Sequence, residues 1–152
     1  MALFFAYDAY LTYDFIRKYC KNARPISKAQ APDHKLSFVR LGTHKGEKTG
    51  YVDIAQSPGS TVWGLLYRLE QDDLRYIDKY EEVPEKAKRE YIDIITENGS
   101  TITANTIFPN KKSPLAKPHD QLNLTIKGAK NNALPPDYVQ GLEKNFSEFL
   151  KA

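Results

Sequence analysis

Among the 19 Asp and Glu residues of the chain, Glu81 stands in the pattern best suited to chemistry. At about 100° per residue, Leu74, Ile77 and Glu81 fall in one sector of a helix, with Tyr76 and Tyr80 beside it. A carboxylate drawn toward a core loses hydration, its pKa rises, and it can exchange a proton near neutral pH. The plainer alternative is a solvated glutamate next to Glu82 at a fraying helix end, the commoner outcome when periodicity is the only guide. Other constellations do not mature. Gly59 and Gly64 do not bracket a serine as a nucleophile elbow requires, although Ser57 and Ser60 lie nearby. The glycines form no phosphate-cradling run. His34, His44 and His119 are far apart, with no Cys partner or helical pair spacing, so no metal site is expected. Lys86, Lys88 and Arg89, like Lys111 and Lys112, read as solvated charge.

The elements that must position Glu81 follow from pattern and turn chemistry. Leu3 to Tyr7 is short, aromatic and uninterrupted, as in a buried strand, and the mixed stretch Asp8 to Thr12 makes a loop at its end. Tyr13 to Cys20 has helical spacing. Strands are expected from Lys35 to Leu41, from Tyr51 to Ala55 and, as the central one, from Thr61 to Leu69. Gln56 to Ser60 should reverse the chain, because Pro58 fixes one backbone angle and Gly59 accepts the positive one after it. Acidic residues from Glu70 to Asp73 favour the start of a helix that runs to about Glu81 or Glu82, ahead of Pro84. Pro84 to Arg89 reads as a loop. Asn98-Gly99 joins strands Tyr91 to Ile95 and Thr101 to Ile107 in a hairpin. Pro109 to Pro118 is a linker, and helices follow from about His119 to Lys130 and from Pro135 to Leu150. The class is α+β: a small mixed, mostly antiparallel sheet, barrel-like, with flanking helices.

Composition sets the outer limits. A chain of 152 residues, 41% hydrophobic and 12% aromatic, suits one domain over residues 1–152 and is not a disordered chain. The net charge of +3 makes no case for nucleic acid or an anionic membrane. Cys20 is alone, so an intrachain disulfide scaffold is excluded and a cytoplasmic setting is the default. The apolar stretch Ala2 to Tyr7 is too short for a signal-peptide core or a membrane span.

Several short segments, taken in order, resemble the γ-glutamylcyclotransferase family. Phe5-Ala6-Tyr7 followed by Leu11 resembles that family's N-terminal Phe-Ala-Tyr-Gly-Ser-Asn-Leu. Gln56-Ser57-Pro58-Gly59 with Val62-Trp63-Gly64 is similar to its central turn and strand, and Ile77-Asp78-Lys79-Tyr80-Glu81 to its Leu-Asp-x-x-Glu. Gly128-Ala129-Lys130-Asn131, Leu134-Pro135 and Tyr138 resemble its C-terminal segment, with Tyr138 expected to pack against the sheet. The resemblance implies a small mixed barrel, a reaction without a cofactor, and a general acid/base role for Glu81. The implied reaction is intramolecular: the α-amine of a γ-glutamyl group attacks its own γ-carbonyl, giving 5-oxoproline and a freed amine. Tyr7, Asp8, Ala9, Tyr10, Leu11 and Thr12 would clasp a γ-glutamyl amide, with backbone amides polarising its carbonyl.

The chain departs from that pattern where substrate would sit. Asp8-Ala9-Tyr10 replaces Gly-Ser-Asn, removing the glycine and the serine hydroxyl and adding a ring. An inward Asp8 would repel a glutamyl α-carboxylate and favour a cation. Glu82 replaces the family's usual glycine after the catalytic position. A non-catalytic binding or interaction module on the same scaffold is therefore the competing expectation.

Overall fold

The first strand is apolar on both faces because it is covered on both. In a computed structural model, which describes residues 1–44, 47–109 and 117–151 (backbone only at 37–44, 47–51, 53, 117–121 and 148–151), β1 (Ala2–Ala6) carries Phe4 and Ala6 into one buried cluster and Phe5 into another. It lies between β3 (Glu47–Leu69), antiparallel from Ala2↔Leu69 to Ala6↔Leu65, and β5 (Thr101–Pro109), parallel at Phe4↔Asn105. With β2 (Arg24–His44) and β4 (Ala87–Thr96), the order β1-β5-β4-β2-β3 closes on itself through the β1–β3 pairing. The result is the expected mixed, mostly antiparallel barrel, and closure leaves no flanking edge on β1. A two-residue strand, β6 (Lys117–Pro118), extends the sheet at β3.

The longest ladder corrects the sequence reading. Strand pairing between β2 and β3 runs from Arg24↔Arg68 to His44↔Glu47, so Gln56 to Ser60 does not reverse the chain. Pairing passes from Pro32↔Thr61 to His34↔Gln56, and the turn-forming residues bulge out opposite Asp33. The turn chemistry is present in local form. Gly59 has φ +85°, and its amide donates to Oδ1 of Asp33 at 3.0 Å. Propensity located the bend; partner pairing on both sides kept the two halves in one strand.

The β4–β5 hairpin follows its sequence signal: Thr96 N–H bonds the Ser100 carbonyl at 3.0 Å, and Gly99 takes a positive φ. Strand β4 starts sooner than its charged sequence suggests, and Lys88 and Arg89 lie in it rather than in a loop. The four α-helices described are α1 (Tyr13–Tyr19), α2 (Gln71–Tyr80), α3 (His119–Asn131) and α4 (Pro136–Lys151). The linker expected after Pro109 falls outside the described residues from 110 to 116. No helix among the described residues is long and apolar enough to cross a membrane.

Candidate active site

Helix α2 brings Glu81 to the loop after β1. Its start is held reciprocally: the Glu70 side chain accepts from the Asp73 amide, and Asp73 Oδ2 accepts from the Glu70 amide at 3.1 Å. Leu74 and Ile77 are buried on the core face, a contribution of about 1.5–3 kcal/mol each. One turn beyond Ile77, Glu81 closes the helix with its amide on the Ile77 carbonyl at 2.9 Å. Its side chain is only 2% exposed. The solvated alternative is thus overturned for Glu81 and holds for its neighbour: Glu82 is exposed, with its carboxylate 3.1 Å from Lys86 Nζ. Glu82 also has φ +56°, the left-handed geometry that ends many helices and favours glycine.

Opposite Glu81, residues Asp8 to Thr12 form a single 3-10 turn, Ala9–Leu11 at its centre. Asp8 begins it by accepting the Tyr10 amide on Oδ1 at 3.3 Å. The amides of Leu11 and Thr12 bond the carbonyls of Asp8 and Ala9 at 2.9 and 3.0 Å. Three of the loop's amides are therefore spent inside the turn.

The turn delivers Tyr10 to Glu81. Its hydroxyl donates to Glu81 Oε2 at 3.0 Å. Phe4 and Phe15 meet the Tyr10 ring edge-on, with centroids at 5.7 and 5.4 Å, and Phe15, Tyr19 and Tyr80 continue the aromatic wall. Burial first, then the negative charges of Glu81 and Asp8, hold the Tyr10 hydroxyl well above its ordinary pKa of 10.0, so it remains a proton donor. Asp8 is buried, and its charge reaches the same hydroxyl. The remaining predicted residues have structural partners: the Tyr7 hydroxyl donates to the Ile107 carbonyl, Leu11 and Ala9 are in the core, and Thr12 Oγ1 donates to the Leu124 carbonyl at 2.8 Å.

Two supports were not legible as site features. Arg89 grips Asp78 with Nε and Nη2 at 2.8 and 3.1 Å and gives Nη1 to Asn105 Oδ1 at 2.8 Å, tying α2 to the barrel three residues before Glu81. Its place in a Lys/Arg run hid it; the one cue was Asp78 in the helix motif. Helix α3 grips the turn from outside. Asn132 Nδ2 donates to the Leu11 carbonyl at 2.8 Å, and Gly128 lets the helix approach so closely that a Cβ there would sit 2.6 Å from Leu11 Cβ.

A family model described as the AIG2-like family matches residues 61–142. The γ-glutamylcyclotransferase of Mus musculus is 31% identical over 146 residues, covering 93% of this chain and 77% of that protein. The Homo sapiens γ-glutamylcyclotransferase is 30% identical over 149 residues, with the same coverage of 93% and 77%. This chain belongs to the γ-glutamylcyclotransferase family. A solved γ-glutamyl cyclotransferase structure superposes with a TM-score of 0.81 at 26% identity, covering 93% of this chain and 86% of that one. The fold alone extends to YkqA of Bacillus subtilis, TM-score 0.75 at 19% identity, where the match covers 96% of this chain and 54% of that one. Family membership supports an enzyme of the cyclotransferase type acting on a small molecule.

Proposed function

We propose that residues 1–152 form one cytoplasmic, cofactor-independent cyclotransferase domain that releases 5-oxoproline and a free amine from a γ-glutamyl amide. Glu81 is its general acid/base, and Tyr7 to Thr12 form the substrate clasp. The observation that carries this reading is a carboxyl group withdrawn from water at the end of α2 and met there by the loop after β1. In the reaction the substrate's α-nitrogen bonds its own γ-carbon, and the bond from that carbon to the leaving nitrogen breaks. Glu81 takes the proton from the attacking nitrogen and returns it to the leaving one, so no net proton is consumed. Nucleophile and electrophile are already in one molecule, and the protein's task is to hold the folded-back conformer and move that proton.

The test is a screen of γ-glutamyl amino acids, γ-glutamyl amines and glutathione for 5-oxoproline, repeated with Glu81→Gln. Release by the wild-type chain that is lost in the variant supports the reading; full activity in the variant removes Glu81 from the mechanism. A second reading, a binding module without turnover, is favoured by one observation: the Tyr10 hydroxyl already rests on the carboxylate that substrate must use. Binding of a γ-glutamyl compound without 5-oxoproline, unchanged by Glu81→Gln, would select it.

A further inference from the structure

We propose that Tyr10 is a positioning residue for Glu81: its hydroxyl fixes the orientation of the carboxylate and sustains its anionic, proton-accepting form. The inference rests on the acid/base reading of Glu81 for its catalytic meaning, but not for its physical content. The geometry is that of a charge-assisted hydrogen bond, 3.0 Å from hydroxyl to Oε2, made between two buried side chains from distant parts of the chain. Neither end is free to drift. The Tyr10 backbone is pinned by the Asp8 carboxylate and its ring is wedged between Phe4 and Phe15. Glu81 is tied to the helix by its amide, and the helix to the barrel by Asp78 and Arg89. A hydrogen bond pre-aligned in this way favours the anion over the acid without an ordering cost at the moment of reaction.

Tyr10 stands where the family pattern this segment resembles has Asn. Around the pair, among the described residues, the turn contributes Asp8, α2 contributes Tyr80 and α1 contributes Tyr19 as titratable groups, while β1 and α1 contribute the rings of Phe4 and Phe15. Asp8 and Tyr80 act on the Tyr10 hydroxyl in the same sense as Glu81, discouraging its ionisation. Tyr10 is therefore the donor of the pair.

The deciding experiment follows the Glu81 carboxyl carbon by 13C NMR through a pH titration of the full chain, with the resonance assigned by its absence in Glu81→Gln. In Tyr10→Phe the carboxylate loses this donor, and its midpoint should move up by about one pH unit. On any substrate found responsive, the acidic limb of kcat/KM should move up with it. Coincident titrations in wild type and Tyr10→Phe would overturn the proposal. Replacing Tyr10 site-specifically by 3,5-difluorotyrosine keeps the shape and strengthens the donor, so the midpoint should move down; this decides the matter even where Tyr10→Phe fails to fold. An inactive wild-type chain would defeat the enzymatic reading and leave the NMR result to judge Tyr10 alone.

Discussion

Two regions of this molecule carry clusters of acidic side chains, and they differ in what surrounds them. Between the β2–β3 arm and β4 opens a groove of about 1270 Å³, lined by Asp33, His34, Lys88, Glu90, Tyr91 and Asp93 among others. Its carboxylates are exposed and locally engaged: Asp33 holds the Gly59 amide, Glu90 lies 3.6 Å from Lys88, and Asp93 accepts the Thr103 hydroxyl at 2.8 Å. At the end of α2, Glu81 is buried and bonded to a hydroxyl that does not ionise in the neutral range. Space for a ligand and withdrawal of a carboxylate from water are thus separate properties, and under the proposed function the second is the one that suits a group to proton transfer.

The contrast can be broken most directly by exchanging the two regions' carboxylates for amides. Glu81→Gln should reduce 5-oxoproline release by about 10²–10⁴-fold with an unchanged circular dichroism spectrum, whereas Glu90→Gln should leave the rate unaltered. Equal loss in both would show that burial does not set the role. Next in size is the wall behind the loop. In Gly128→Ala the added carbon would meet Leu11 Cβ at 2.6 Å and the Thr12 nitrogen at 2.9 Å, and urea melts should register a loss of about 1–3 kcal/mol. The corresponding change at Gly141, where nothing lies within 4 Å, should be free of that penalty.

Alkaline pH distinguishes the regions through groups the groove lacks. Burial chiefly, and then the charge of Asp73, push the Cys20 thiol from 9.0 up to about 12. A group whose pKa is raised by folding contributes stability in full below its unfolded pKa and loses it as pH climbs toward the folded one. Urea midpoints should accordingly fall from about pH 9 upward, with Cys20→Ala flattening the slope by about 1 kcal/mol at pH 10. Tyr10 adds the same sign above its ordinary value of 10.0. The smallest effect expected is at Glu82, whose φ of +56° costs more than its half-exposed contact with Lys86 returns. Glu82→Gly should raise stability by about 0.5 kcal/mol in thermal or urea melts, without touching Glu81 beside it.

What could be read in advance divides along the same physical line. The barrel class, the Asn98-Gly99 hairpin and the helix carrying Glu81 follow from local signals: residue period, turn chemistry and a buried aromatic run. Gln56 to Ser60 was misread because a bend and a reversal share the same residues, and only the partner strand decides between them. Glu81 could be placed at the edge of an apolar face, but its burial beside Tyr10 of the loop after β1 is something no helical period contains. The ring in the substrate loop read as a departure, while its bond to Glu81 spans 71 positions and had no local signature. Arg89 was hidden for the opposite reason, its neighbours Lys86 and Lys88 being ordinary exposed or half-exposed cations.

The grip of α3 on the loop after β1 reaches across most of the polypeptide, since Thr12 meets Leu124 and Leu11 meets Asn132 over separations of 112 and 121 residues. Such contacts close last when a chain emerges from its N-terminus. A nascent copy completes much of its barrel before the corner that holds Glu81 receives its brace, so under the proposed function competence arrives only as the final helices dock.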